Sequence, residues 1–107
     1  MIEQRKESRT HLLYYLRVFD RNSDTLFGHV VDLSPNGMLI TSHKPLENQR
    51  TYKLAVEDVG VMDQLGTVNF EAECRWCKTD HNVDLYDAGF SLVNPSNQVQ
   101  TLIADYV

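Results

Sequence analysis

Residues 67–78 read Thr-Val-Asn-Phe-Glu-Ala-Glu-Cys-Arg-Trp-Cys-Lys, and they alternate in character with a period of two. Val68, Phe70, Ala72, Cys74 and Trp76 fall on one parity, Asn69, Glu71, Glu73 and Arg75 on the other. Successive side chains of an extended strand point to opposite faces, so this order yields one apolar and one wet face only if the segment is a strand. The parity places Trp76 with the core residues.

Other segments repeat the pattern at short intervals. His11–Phe19 is dense in β-formers, Asp20–Asp24 is rich in turn residues, and Leu26–Leu33 alternates, which predicts a β-hairpin over 11–33. Ser34-Pro35-Asn36-Gly37 reads as a turn before a short strand over Met38–Thr41. Tyr52–Glu57 and Leu85–Val93, the latter containing Gly89, complete six strands, with loops over 44–49, 58–66 and 79–84. The period changes only at the end. Asn94-Pro95-Ser96 opens a helix over 95–106, with Asn94 or Ser96 as its cap. Val99, Leu102, Ile103 and Tyr106 then make an apolar stripe that needs a partner, the rest of this chain in a monomer or a second copy in a homodimer. Strands this closely spaced, with no helices between them, disfavour a βαβ fold. They predict an all-β barrel or folded sheet with one C-terminal helix.

Charge narrows the function classes. The 107 residues carry a formal charge of −5, but residues 1–21 hold five basic and three acidic side chains, so a +2 N-terminal stretch precedes a −7 remainder. Coating duplex DNA needs Lys and Arg spread over a face, which the acidic body excludes; a small anion held by a local basic clamp remains open. No apolar run approaches the roughly 20 residues of a membrane span, and the charged, polar start has no signal-peptide core; the expected location is the cytoplasm, without membrane insertion.

Enzyme signatures are missing: no nucleophile elbow, phosphate loop or His-Glu-x-x-His. Cys74 and Cys77 have only His81 nearby, too few ligands for a structural zinc. In an unbroken strand, positions three apart also face opposite sides. Two reduced cysteines and no metal are expected.

Two short stretches remain. Arg5-Lys6-Glu7-Ser8-Arg9 places two guanidiniums four residues apart, on one side of a strand or a helical turn. Each planar fork can grip a phosphate or a guanine edge with two hydrogen bonds and stack its flat face on a base. In Asp32-Leu33-Ser34-Pro35-Asn36-Gly37, a strand sends Leu33 inward while Asp32 and Ser34 share the other side. A carboxylate beside a hydroxyl can accept from the N1–H and N2–H₂ edge of guanine, and a glycine admits close approach of a ligand. Taken singly, the first is an ordinary exposed basic arm and the second an Asx or Ser turn.

In combination, Arg-x₃-Arg followed after one hairpin by Asp-x-Ser-x₂-Gly resembles the PilZ domain, a bacterial receptor for cyclic di-GMP. The resemblance runs over nearly the whole chain and includes Cys74-Arg75-Trp76 late in a strand, Gly89 in the Tyr86–Phe90 strand, and the closing helix. It implies a six-stranded antiparallel β-barrel over 11–107 with its C-terminal helix, and a flexible arm over 1–10 that wraps the ligand. Carried onto this chain, Arg5 and Arg9 grip phosphate and guanine, Asp32 and Ser34 bond a guanine edge, and Gly37 permits close approach. Asn36 fills a variable polar slot, and Trp76 is either a ligand wall or a core residue. Where many relatives have a further arginine, this chain has Gln4, with Lys6 inside the motif, which weakens the case for a stacked pair of ligands. The resemblance implies no catalysis and no cofactor, and an output through a separate, unidentified partner protein. Two alternatives stand beside it: a PilZ-like adaptor that binds no nucleotide, and a barrel reading single-stranded RNA, which requires exposed aromatics interleaved with Lys and Arg on one face.

Overall fold

The computed structural model describes residues 10–58, 66–80 and 84–106. Gln4, Arg5, Lys6, Arg9 and His81 lie outside them. Six strands form in chain order: β1 (Thr10–Asp20), β2 (Thr25–Ser34), β3 (Gly37–Ser42), β4 (Thr51–Asp58), β5 (Gly66–Thr79) and β6 (Tyr86–Leu92), followed by one helix, α1 (Asn97–Tyr106). Every pairing is antiparallel, and the sheet closes on itself in the order β1-β2-β3-β6-β5-β4. This is the six-stranded barrel with a C-terminal helix that the resemblance implies. Closure leaves no unpaired edge among these strands.

The alternating parity builds the core. Val18, Val30, Leu33, Ile40, Leu54 and Val56 are at most 1% exposed, and they pack with Phe70, Ala72, Cys74, Ala88 and Phe90. Each fully buried side chain of this size contributes about 1.5–3 kcal/mol relative to leaving it in water. Phe90 meets Phe27 and Tyr52 edge-on, and those two rings tilt against each other, with ring centres 5.3–6.2 Å apart, the aromatic part of the same core. Where β1 and β4 close the barrel, the Arg17 guanidinium donates through Nε (3.1 Å) and Nη2 to the Glu57 carboxylate.

The helix starts two residues later than the sequence predicts. Ser96 is its cap, accepting from the Val99 N–H at 3.3 Å, and Asn94 stands before it with φ 44°. That left-handed conformation is one asparagine tolerates better than most residues. Val99, Leu102 and Ile103 are 0–4% exposed and belong to the barrel's own core, so the chain itself covers these three positions of the stripe.

Candidate functional site

Two β-bulges decide which side chains leave the core. In β2, Val30 pairs with Ile40 but Asp32 pairs with Leu39, so Val31 is an extra residue. In β5, Cys74 pairs with Phe90 but Trp76 pairs with Gly89, so Arg75 is extra. An extra residue reverses the inward–outward parity beyond it. Val30 and Leu33 therefore both point inward, and Asp32 and Ser34 turn out. Cys74 and Cys77 both pack on the core, and Trp76 turns out with 38% of its surface exposed. This corrects two readings of an unbroken strand: Trp76 is not a core residue, and the two cysteines do not face opposite sides. Both cysteines are free thiols, and burial pushes the Cys74 thiol pKa up, with Cys77 adding to the effect.

With both bulges in place, the register lines up Asp32, Leu39, Gly89 and Trp76 as one row across β2, β3, β6 and β5. A cavity of about 180 Å³ opens along this row; Asp32, Ser34, Gly37, Arg75, Trp76 and Gly89 are among its walls. Its only charged lining groups among the described residues are Asp32 and Arg75. The Arg75 guanidinium also donates to Glu73 at 3.0 Å, and the Lys78 ammonium stands 5.3 Å from the centre of the Trp76 ring. The cavity thus offers a carboxylate and a hydroxyl for a polar edge, a guanidinium for an anion and an indole for a planar ring.

The turn from β2 to β3 holds the second motif in place. Pro35 and Asn36 form the two-residue loop, and Ser34 Oγ donates to the Gly37 carbonyl at 3.3 Å. The Asn36 carbonyl accepts from the Leu92 N–H at 2.9 Å, tying the loop to the end of β6. Gly37 has a reason inside the barrel itself: a Cβ there would overlap the Phe90 carbonyl oxygen of the neighbouring strand. Asp32, Ser34, Gly37 and Trp76 therefore come together, whereas Asn36 sits at the exposed tip of the loop and is not among the described lining residues. Arg75 and Gly89 belong to the site as well. Alternation gives no signal for Arg75, because it does not reveal a bulge, and the resemblance includes Cys74-Arg75-Trp76 and Gly89 without giving Arg75 or Gly89 a role.

The start of β1 lies beside this cavity. Thr10 pairs with Leu33 and His11 with Asp32.

A second, shallower depression of about 560 Å³ adjoins the first across Asp32 and Leu39, and His29, His43, Asp80 and Asp87 line it. Burial raises the Asp87 carboxyl above its ordinary pKa, and the Asp80 carboxylate adds to the rise, while the Thr41 hydroxyl, donating at 3.2 Å, opposes it. Those carboxylates make this depression a poor seat for phosphate. Among the described residues, no three His, Cys, Asp or Glu come together as a metal set, and no helix is long and apolar enough to cross a membrane.

Comparison with known proteins agrees with this geometry. No curated protein matches the sequence. Among solved structures, the chain is similar to the Bacillus subtilis inhibitor of motility MotI/DgrA, with a TM-score of 0.76 at 15% identity over 98% of this chain and 49% of that one. It is also similar to the PilZ domain of Escherichia coli YcgR, solved with c-di-GMP, with a TM-score of 0.67 at 16% identity over 95% of this chain and 87% of that one. The longer YcgR chain, also solved with c-di-GMP, gives 0.67 at 17% identity over 97% and 44%. The chain thus spans about half the length of MotI/DgrA and of the longer YcgR chain. At these identities the likeness is one of fold. Residues 3–107 match the PilZ domain, and the chain belongs to that family.

Proposed function

We propose that this protein is a cyclic di-GMP receptor that holds the dinucleotide between its N-terminal arm and the barrel and signals to a separate partner through the ordering of that arm. The observation that carries the reading is the cavity, which brings Asp32, Ser34 and Gly37 of one motif together beside Trp76 and next to the entry of β1. In this reading Asp32 and Ser34 accept from a guanine edge, and Arg5 and Arg9 reach over from the arm to the phosphates and the base faces. Arg75 is the barrel's own cation at the site. The division of charge fits the ligand: the arm brings three cations, Arg5, Lys6 and Arg9, against Glu3 and Glu7, while the acidic body contributes Asp32 as a guanine acceptor and keeps the protein from binding polyanions in general.

The magnitudes fit a messenger. Hydrogen bonds to charged groups contribute about 1.5–3 kcal/mol each and base stacking about 1–3. A micromolar constant, roughly 8 kcal/mol, therefore needs several such contacts made at once, because association and arm ordering cost several kcal/mol. The cellular output follows from whichever protein recognises the ordered arm.

Calorimetric titration of cyclic di-GMP into the parent protein, Arg9→Ala and Asp32→Ala tests the proposal. The expected result is saturable heat in the parent, with binding weakened about tenfold or more in each variant, the loss of one charge-assisted contact. No heat from the folded parent overturns it in favour of the adaptor that binds no nucleotide.

A further inference from the structure

Gly89 stands apart from the other described glycines. A Cβ on Gly28 or Gly37 would first meet a backbone carbonyl, and one on Gly66 would meet nothing within 4 Å. On Gly89 a Cβ would fall 2.5 Å from Cε2 and 2.9 Å from Cζ2 of the Trp76 indole, and closer still to Nε1. The three obstructing atoms belong to one rigid ring system, so a Cβ there would displace the whole indole and not just one flexible chain end. The indole therefore lies across β6 in the space a side chain would take, with its partner position Gly89 beneath it. An aromatic ring covering a cross-strand glycine in this way restores the packing the glycine forfeits.

The position of this seat matters for the cavity. The row from Asp32 to Trp76 crosses three strand spacings, about 14 Å at the usual separation. Between its ends only Leu39 supplies a side chain. An indole held upright over β5 would leave the far end of the row open; laid over Gly89, it closes the cavity at a distance from Asp32 that a purine can bridge.

We propose that Gly89 is a positioning residue for ligand binding: by lacking a Cβ it lays the Trp76 indole over β6, as the platform against which a purine base anchored on Asp32 packs. This rests on the receptor reading above. Gly89 acts only through Trp76, and that separates it from a glycine needed for folding alone.

Trp76 is the chain's single tryptophan, so its fluorescence reports the seat directly. The experiment combines emission spectra with calorimetric titration of cyclic di-GMP for the parent, Gly89→Ala, Trp76→Ala and the double variant, each checked for folding by circular dichroism. In the free protein, Gly89→Ala should shift the emission to longer wavelength as the indole leaves its seat. It should weaken binding about tenfold, the equivalent of one base-stacking contact. In the Trp76→Ala background, Gly89→Ala should change the affinity by less than about twofold, because the group it positions is gone. Equal losses in both backgrounds, or an unshifted emission, overturn the proposal. If Gly89→Ala does not fold, Trp76→Phe against Trp76→Ala decides. A ring that still fits over glycine should keep most of the affinity that alanine loses, and Trp76→Ala binding as the parent does overturns the proposal. Heat of binding in the parent with an unshifted emission in Gly89→Ala overturns the role of Gly89 alone, whereas no heat at all overturns the receptor reading beneath it.

Discussion

Replacing Gly37 by alanine tests the link between the second motif and the barrel. The added Cβ would overlap the Phe90 carbonyl oxygen and lie 3.6 Å from its carbonyl carbon. Neither partner can move cheaply. Met38 and Phe90 are paired neighbours in the β3–β6 ladder and are 6% and 4% exposed, and the Ser34 hydroxyl bonds the Gly37 carbonyl. The hairpin must shift by several tenths of an ångström, and overpacking of this kind costs about 1–3 kcal/mol. For a domain near 100 residues, each kcal/mol lowers Tm by about 4–8 °C, so the loss should be roughly 5–20 °C. Thermal unfolding followed by circular dichroism measures it, with Gly66→Ala as the control. Nothing stands within 4 Å of a Cβ at Gly66, and that variant should keep or slightly raise Tm, since alanine restricts the unfolded chain. A Gly37→Ala protein melting within 2 °C of the parent, on the order of a quarter kcal/mol, would refute the view that Gly37 is fixed by the neighbouring strand.

Other expectations follow from single observations. Leu54→Ala empties a fully buried position and should lower stability by about 2–5 kcal/mol in urea unfolding, with the slope unchanged. Asp87→Asn should raise Tm at pH 7 and leave it unchanged at pH 3. The folded carboxyl holds its proton to higher pH than the unfolded one, so stability falls as pH rises through that window, and the amide removes the loss while still accepting from Thr41. Arg75→Ala should weaken cyclic di-GMP binding several-fold in calorimetry with little change in Tm, because its ion pair with Glu73 is exposed and such pairs contribute about 0–1 kcal/mol.

The strands were the legible part of this sequence. Each forms within one residue of the ends its alternation marks, because half-buried strands write their burial into neighbouring positions. Closure into a barrel and the grouping of Asp32, Ser34 and Gly37 came with the family resemblance, since composition and period say nothing of which strands meet. Trp76 shows where the alternation misleads. Its parity assigns it to the core, yet the extra residue Arg75 reverses that parity and turns the indole out. A bulge is set by the pairing of β5 with β6, residues far apart in the chain, and it leaves little trace in the local pattern. The same holds for Gly37 and Gly89, whose need for glycine comes from Phe90 and Trp76 across the sheet. At the helix, Pro95 hides the difference between two candidate caps, and the geometry selects Ser96.

The central claim is that one ligand joins the N-terminal arm to the barrel face carrying Asp32. Hydrogen exchange measured by mass spectrometry, with and without saturating cyclic di-GMP, tests it in a single comparison. The account predicts slower exchange in two places at once, residues 1–10 and residues 32–37, and no such protection with poly-U. Unchanged exchange in the arm at saturation would contradict it.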